Sequence, residues 1–236
     1  MRIALFITVL FLMPIHAFPQ TYEYVPFPDS GAIWSEVYQP PLDMYGNFPP
    51  PIFERFTVNG EDTIINETEY KKLYLFSDSV YNKPKAICIG GIREDENKRI
   101  YFKGDTVIHD FKPMIDFHNY EEILLFDFSV NVGDTIGEGN FHDGAWLIIN
   151  KIDTIQVGEY LRKRIHFQGL YWIKWIEGIG SVKGLLFTTG DLPMNGLNND
   201  VICFKQNEEI LYFNVNYPEC FPVLSGIETK KMIIQI

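Results

Sequence analysis

The chain is poor in cysteine, in positive charge and in long apolar runs, and each shortage excludes something. Its three cysteines, Cys88, Cys203 and Cys220, show no spacing that would clasp a zinc ion. Lys and Arg number 20 against 31 Asp and Glu, a formal net charge of -11. Nucleic-acid binding draws most of its affinity from cations that neutralise phosphates, and anionic membranes attract basic segments for the same reason. The balance therefore argues against both partners. The one sustained apolar run, Ile3 to Leu12, is broken only by Thr8 and falls well short of the roughly 20 residues a permanent membrane helix needs.

That run has another use. Met1-Arg2 gives a charged start, the apolar middle follows, and Ile15-His16-Ala17 offers a small-residue cleavage point, the layout of a secretory signal peptide over residues 1–20. No Cys stands near the cleavage point to take a lipid. The expectation is a protein that is secreted, held at the cell surface or periplasmic, with no integral membrane segment after signal cleavage. Disulfides persist in such compartments. Cys203 and Cys220 flank a hairpin near the chain end and are expected to be bridged, leaving Cys88, inside Ala86-Ile87-Cys88-Ile89, as a buried thiol.

What is present points to strands. At 46% hydrophobic and 15% aromatic the chain can supply a core, and Phe and Tyr favour pleated, half-buried surfaces. Residues 21–52 are rich in Pro, Tyr and Phe and close on Pro49-Pro50-Pro51; prolines remove ladder donors, so this segment reads as an extended arm laid over the body. Its aromatics Tyr24, Phe27, Trp34, Tyr38, Tyr45 and Phe48 would cap an open sheet end or be exposed as a ligand platform. Beyond it the punctuation is regular. Asn59-Gly60, between Phe53–Val58 and Asp62–Ile65, predicts a hairpin. Asn66-Glu67-Thr68 predicts a turn before Tyr70–Phe76, and Glu94-Asp95-Glu96-Asn97 another between Ala86–Arg93 and Arg99–Lys103. Over Glu122–Val132, Leu124, Phe126, Phe128, Val130 and Val132 alternate with Asp127, Ser129 and Asn131, the pattern of a strand with one buried face. Trp146–Ile155, Tyr160–Phe167, Tyr171–Ile176, Leu185–Thr188, Val201–Phe204 and Ile210–Val215 extend the series. The expected fold is all-β, an antiparallel meander forming a sandwich or partly open barrel, with an extended Pro/aromatic N-terminal arm. Residues 53–222 form its single domain and 223–236 a C-terminal tail.

Catalytic signatures are scarce. Of His109, His118, His142 and His166 none has ligand spacing, and a metal site from His109, Asp116 and His118 would need tertiary convergence. His109-Asp110 and His142-Asp143 are adjacent pairs, but neighbours on a strand point to opposite faces. No Gly-x-Ser-x-Gly elbow occurs. Gly178, Gly180 and Gly184 precede a strand-like Leu185-Leu186-Phe187 rather than a helix, so they read as turn and bulge glycines and not as a phosphate cradle. Glu121, Glu122, Asp127 and Glu177 are acids that could flank a sugar if the fold converged them. Asp191, Asn195, Asn198, Asn199 and Asp200 make an oxygen-rich loop without an EF-hand pattern. No cofactor and no metal are expected.

Asp-Thr followed by Ile or Val recurs at Asp62-Thr63-Ile64, Asp105-Thr106-Val107, Asp134-Thr135-Ile136 and Asp153-Thr154-Ile155, with Asp78-Ser79-Val80 a looser version. The simple account is local: Asp ends a turn by accepting a backbone hydrogen bond, and the β-branched pair starts a strand. The spacing is too uneven for a solenoid or propeller. Gly91-Ile-Arg-Glu-Asp-Glu-Asn-Lys-Arg-Ile-Tyr101, Glu122-Ile-Leu-Leu-Phe-Asp-Phe-Ser-Val-Asn-Val-Gly-Asp-Thr-Ile136 and Trp175-Ile-Glu-Gly-Ile-Gly-Ser-Val-Lys-Gly-Leu-Leu186 together resemble a group of uncharacterised secreted proteins from Bacteroidetes. The likeness runs from about Phe53 to Cys220. Members of that group often carry a C-terminal sorting domain for type IX secretion. Leu224-Ser-Gly-Ile-Glu228 resembles the approach to one, and residues 223–236 would be a remnant of the linker. The resemblance also implies O-glycosylation at Thr63, Thr106, Thr135 and Thr154, and at Ser79. Asn66-Glu67-Thr68 matches an N-glycosylation sequon, for which the turn role is the expectation in a bacterial chain.

Two function classes follow. One is a non-catalytic exported module that binds a glycan or an extracellular protein through exposed aromatics, with Tyr171, Trp172 and Trp175 as contact groups. Trp172 and Trp175 lie three positions apart and so face opposite sides of a strand. The alternative is a polysaccharide hydrolase using convergent carboxylates.

Overall fold

The computed structural model describes residues 22–40, 42–104, 122–137, 146–186 and 198–222. The expected leader, the C-terminal tail, Thr106, His109, Asp116, His118, Glu121, His142, Asp191 and Asn195 lie outside the described residues. The fold is all-β, two curled antiparallel sheets facing each other as half-barrels. The first holds β1 (Ala32–Gln39), β2 (Ile52–Ile65), β3 (Thr68–Phe76), β4 (Ile87–Glu94), β5 (Arg99–Gly104), β6 (Ile123–Asp127), β12 (Asn198–Gln206) and β13 (Glu209–Phe213). Its order is β13-β12-β1-β2-β3-β4-β5-β6. The second holds β7 (Thr135–Ile136), β8 (Leu147–Val157), β9 (Tyr160–Phe167), β10 (Leu170–Ile176) and β11 (Gly180–Ser181), ordered β11-β10-β9-β8-β7. Among the described residues the helical structure is a single 3-10 turn, Lys83–Lys85.

Three local expectations need correction. The Pro/aromatic segment is not all arm: Ala32–Gln39 is an interior strand, paired to β2 on one side and β12 on the other, because its prolines lie outside the ladder, at Pro26, Pro28 and Pro40 onward. Asn59-Gly60 is not a hairpin turn. β2 runs through it, with a register shift between Val58 and Asp62 against β3 and Gly60 at φ +86°, so the pair forms a bulge. The chain reverses at Asn66-Glu67 instead, where φ is +49° and +66°, as the primed hairpin turn demands. Leu185 and Leu186 are buried but belong to no strand; the backbone N–H of Leu185 is taken by a side chain, Glu36, at 2.6 Å.

The core lies between the sheets. Phe126 of β6 meets Trp175 of β10 edge-on at 5.2 Å, and Phe167 of β9 meets the same indole at 4.9 Å. Phe27, just before β1, stacks on Trp34 at 5.5 Å. The Trp34 indole N–H donates to the Ile179 carbonyl at 2.7 Å, tying the larger sheet to the turn between β10 and β11. The expected alternation holds at Phe126, Phe128 and Val130, which are buried, whereas Leu124 is half-buried and Val132 is exposed. β6 ends at Asp127, so Val132 lies beyond the strand that would have turned it inward.

Candidate contact surface and the carboxylates beside it

One end of the smaller sheet is apolar and open. The hairpin between β9 and β10 turns at Gln168-Gly169, and Tyr171 behind it is 80% exposed. Its ring meets Trp172 edge-on at 4.9 Å, a favourable aromatic geometry. The Gln168 N–H donates to the Ile148 carbonyl at 2.8 Å, which brings the start of β8 to the same end. There Trp146 is 60% exposed and Ile148 is also exposed, while Leu147 and Ile149 between and after them are buried. Val132 joins them, because Gly133 donates to Ile149 at 2.8 Å. The Trp146 ring lies over Gly137, where an added Cβ would come within 2.7 Å of it. Two indoles, a phenol and two aliphatic side chains thus share one sheet end.

Of the three aromatics expected at a contact surface, the fold brings Tyr171 and Trp172 together and removes Trp175. That residue is 0% exposed, locked among Phe126 and Phe167, and cannot touch a ligand. Trp172 is half-buried and packs partly against the core. Strict alternation from Trp175 would bury Ile173 and Tyr171 alike. Ile173 is buried, but the β9–β10 register slips between Leu170 and Lys174, and the slip turns Tyr171 out. Trp146 and Ile148 escaped sequence reading because Trp146–Ile149 is apolar at every position. Asn150, exposed on the same parity as Trp146 and Ile148, was the available marker of the outward face.

The carboxylates do not converge on this surface; the described ones hold the fold. Glu177 is fully buried and accepts from the Tyr22 hydroxyl and from the Val25 N–H at 2.7 Å. Glu94 accepts from the Tyr24 hydroxyl and from the Phe27 N–H at 2.8 Å. Residues 22–27 are thereby strapped across the sheets by two acids. Burial raises the Glu177 carboxyl above its ordinary range, against the pull of its hydrogen bonds and of Lys163 and Lys98. Burial likewise raises the Tyr22 and Tyr24 phenols, reinforced by the bonds to Glu177 and Glu94. Arg162 is also buried; it donates to the Glu177 carbonyl at 3.2 Å, and burial lowers its pKa. Gly178 permits this packing, since a Cβ there would fall 2.6 Å from the Arg162 guanidinium and 3.2 Å from Val25.

Glu122 receives both arms of Arg93 at 2.7 Å and the Tyr70 hydroxyl at 2.6 Å, and Arg93 lies over the Tyr101 ring at 4.3 Å. Asp127 accepts from the Ser129 N–H and hydroxyl. A cleft of about 310 Å³ between the strap and β3–β4 is lined by Phe27, Asp29, Glu69, Lys71, Arg93 and Glu94 among others, but Lys71 is paired with Asp62 and Arg93 with Glu122. Among the described residues no group of three or more His, Cys, Asp and Glu is placed to hold a metal. Of the oxygen-rich loop, Asn199 is buried and donates to the Lys183 carbonyl, and Asp200 accepts from Lys183 at 2.6 Å and Tyr217 at 2.8 Å.

Cys203 and Cys220 stand at disulfide distance, Cα to Cα 5.3 Å. Cys88, the second residue of β4, is outside that pair and half-buried rather than buried. Thr135 and Thr154 are exposed, Thr63 is half-exposed and Ser79 exposed. The turn account of the Asp-Thr recurrence fits Asp134, whose carboxylate accepts from the Asn131 N–H at 2.7 Å just before β7. Asp62 and Asp153 instead lie inside β2 and β8 and pair across the ladder. Asp153 takes both arms of Arg164 at 2.8 and 2.9 Å, with Lys151 and His166 also on it, and these donors, Arg164 foremost, hold its carboxyl well below the usual range.

No family model matches the chain, and no curated protein or solved structure matches it. Among the described residues no helix is long and apolar enough to cross a membrane.

Proposed function

We propose that this chain is an exported, non-catalytic β module that binds a glycan or an extracellular protein through the aromatic end of its smaller sheet, at the cell surface or in the periplasm. The observation that carries the reading is the Tyr171–Trp172 pair, one ring 80% exposed and set edge-on against the other on a hairpin fixed by the core beneath it. Tyr and Trp give large contact area for few rotatable bonds, which is why they dominate contact surfaces. Trp146 and Ile148 extend the same surface. The leader-like start and the resemblance to secreted Bacteroidetes proteins support export, and exposed Thr135 and Thr154 suit the O-glycosylation that the resemblance implies.

The test is a glycan array probed with the mature chain, combined with a hydrolysis assay on the same sugars. Binding without turnover, lost in Tyr171→Ala and Trp172→Ala, is the expected result. Turnover of a bound polysaccharide would replace the module with the hydrolase.

A further inference from the structure

The solvent face of the smaller sheet has a charge balance opposite to that of the chain. The whole sequence has 20 Lys and Arg against 31 Asp and Glu. From Leu147 to Ile176 the balance reverses: Lys151, Arg162, Lys163, Arg164 and Lys174 stand against Asp153 and Glu159. Register sorts these residues by face. Ile152 and Trp175 are the Cα partners of Ile165 on either side, and Ile165 and Trp175 are core. The adjacent row, Lys151, His166 and Lys174, pairs in the same way across β8, β9 and β10, so it points to the opposite side of the sheet. Strands lie about 4.8 Å apart, which sets the whole row within about 10 Å. Asp153 and Arg164 form the next pair on that side.

β8, β9 and β10 hold one acid between them, Asp153. Its single carboxylate serves Arg164, Lys151 and His166 together. Lys174 is half-buried, and among the described residues no acid lies against it. The face therefore keeps an excess of positive charge, and it adjoins the aromatic end. Ile173 and Trp175 are buried, which leaves Trp172 and Lys174 on the same outward side of β10, about 7 Å apart. At physiological ionic strength fields decay over about 8 Å, so a ligand here feels these cations and not the acids of the far sheet. An aromatic ring offers its electron-rich face to the polarised C–H groups of a sugar, and the ammonium beside it seats an anion. Nucleic acid fits worse, because its affinity rests on neutralising closely spaced phosphates, and Lys151, Arg164 and Lys174 are few for that on a chain of net charge -11. Resting on the glycan reading above, we infer that the ligand is an anionic polysaccharide, with sugar faces on Tyr171 and Trp172 and its carboxylates or sulfates on Lys174 and Lys151.

The mature chain is titrated calorimetrically with polygalacturonate and with carrageenan, each beside its uncharged counterpart, the methyl ester and the desulfated polymer. Wild type binds a charged polymer about tenfold more tightly than its neutral counterpart, and about 0.5 M NaCl removes most of that preference. The carboxylated and sulfated arms tell which anion is read. Lys174→Gln lowers affinity for the charged polymer about tenfold, the worth of one charge-assisted contact, and Lys174→Arg restores it. Lys151→Gln, at a side chain 61% exposed, lowers it in the same direction and keeps the test readable if circular dichroism finds Lys174→Gln unfolded. Equal binding of charged and neutral polymers, lost in Tyr171→Ala, overturns this inference and leaves the glycan reading standing. Binding of no glycan overturns both. A charge preference untouched by the lysine variants, or oligothymidylate bound as tightly as the charged glycan, overturns the inference as well.

Discussion

Two regions of this molecule are rich in functional-looking side chains, and they are used in opposite ways. Along the flank crossed by residues 22–27, Glu94, Glu177, Arg162 and two tyrosines meet in a mostly buried network, and every acid there already accepts hydrogen bonds from the chain itself. At the end of the smaller sheet, Tyr171 and Trp146 have large faces turned to solvent, with Trp172 half-buried beside Tyr171. A cluster of charges suggests chemistry at first sight, yet burial and internal bonding make this one a fastening. The open surface is the apolar one. Trp172 and Trp175 carry the same contrast within a single strand: one is a partial surface, the other is core.

That contrast can be broken in graded steps. Trp175→Ala removes an indole wedged between Phe126 and Phe167 and should cost about 4 kcal/mol of unfolding free energy, read as a large drop in the denaturant midpoint. Trp172→Ala, half-buried, should cost well under half of that. Replacing Cys203 and Cys220 together by Ser opens a loop of sequence separation 17 and should cost about 3 kcal/mol, with the reduced wild type matching the double variant. Glu177→Ala strands the Val25 N–H and the Tyr22 hydroxyl and uncovers Arg162. About 2 kcal/mol is expected, together with faster proteolysis ahead of residue 28, while ligand binding at Tyr171 stays intact.

Acid acts on the charged pairs with a defined sign. Glu61, bonded by Lys83, Asn59 and Tyr74, has its carboxyl lowered from 4.5 to about 2, and Asp153 is lowered in the same direction. A depressed folded pKa contributes stability that is complete above the unfolded value and is lost as pH falls toward the folded one. Glu177 runs the other way: its raised carboxyl favours the folded state most at low pH, and that contribution declines as pH rises through its folded pKa. Stability should therefore fall between about pH 4.5 and pH 2, and Glu61→Gln should flatten the decline, as followed by urea midpoints across that range.

Much of the fold was legible because strand alternation and turn residues are local signals. Tyr160–Phe167 emerges with the bounds expected of it, and the Asn66-Glu67 turn and the Cys203–Cys220 pairing emerge as expected. The failures share a cause, which is that register is decided by the partner strand. Asn59-Gly60 has the sequence of a hairpin turn, but pairing of β2 with β3 continues on both sides of it, so it is accommodated as a bulge. β1 was hidden by the prolines on either side. At the contact surface, Tyr171 and Trp172 could be named from residue type, but the slip that exposes Tyr171, while Trp175 beyond it stays on the buried face, depends on pairing with β9. The role of Glu177 could not be foreseen, because its partners Tyr22 and Val25 lie more than 150 residues earlier.

The most direct measurement is binding of the mature chain to an array of polysaccharides and extracellular proteins, set beside that of Tyr171→Ala at matched thermal stability. Tyr171 is exposed, so its removal should change stability by no more than about 0.5 kcal/mol. The account predicts a ligand whose binding disappears in this variant and survives in Glu177→Ala. A ligand held equally well by Tyr171→Ala and lost in Glu177→Ala would place the functional surface under the strap and contradict it.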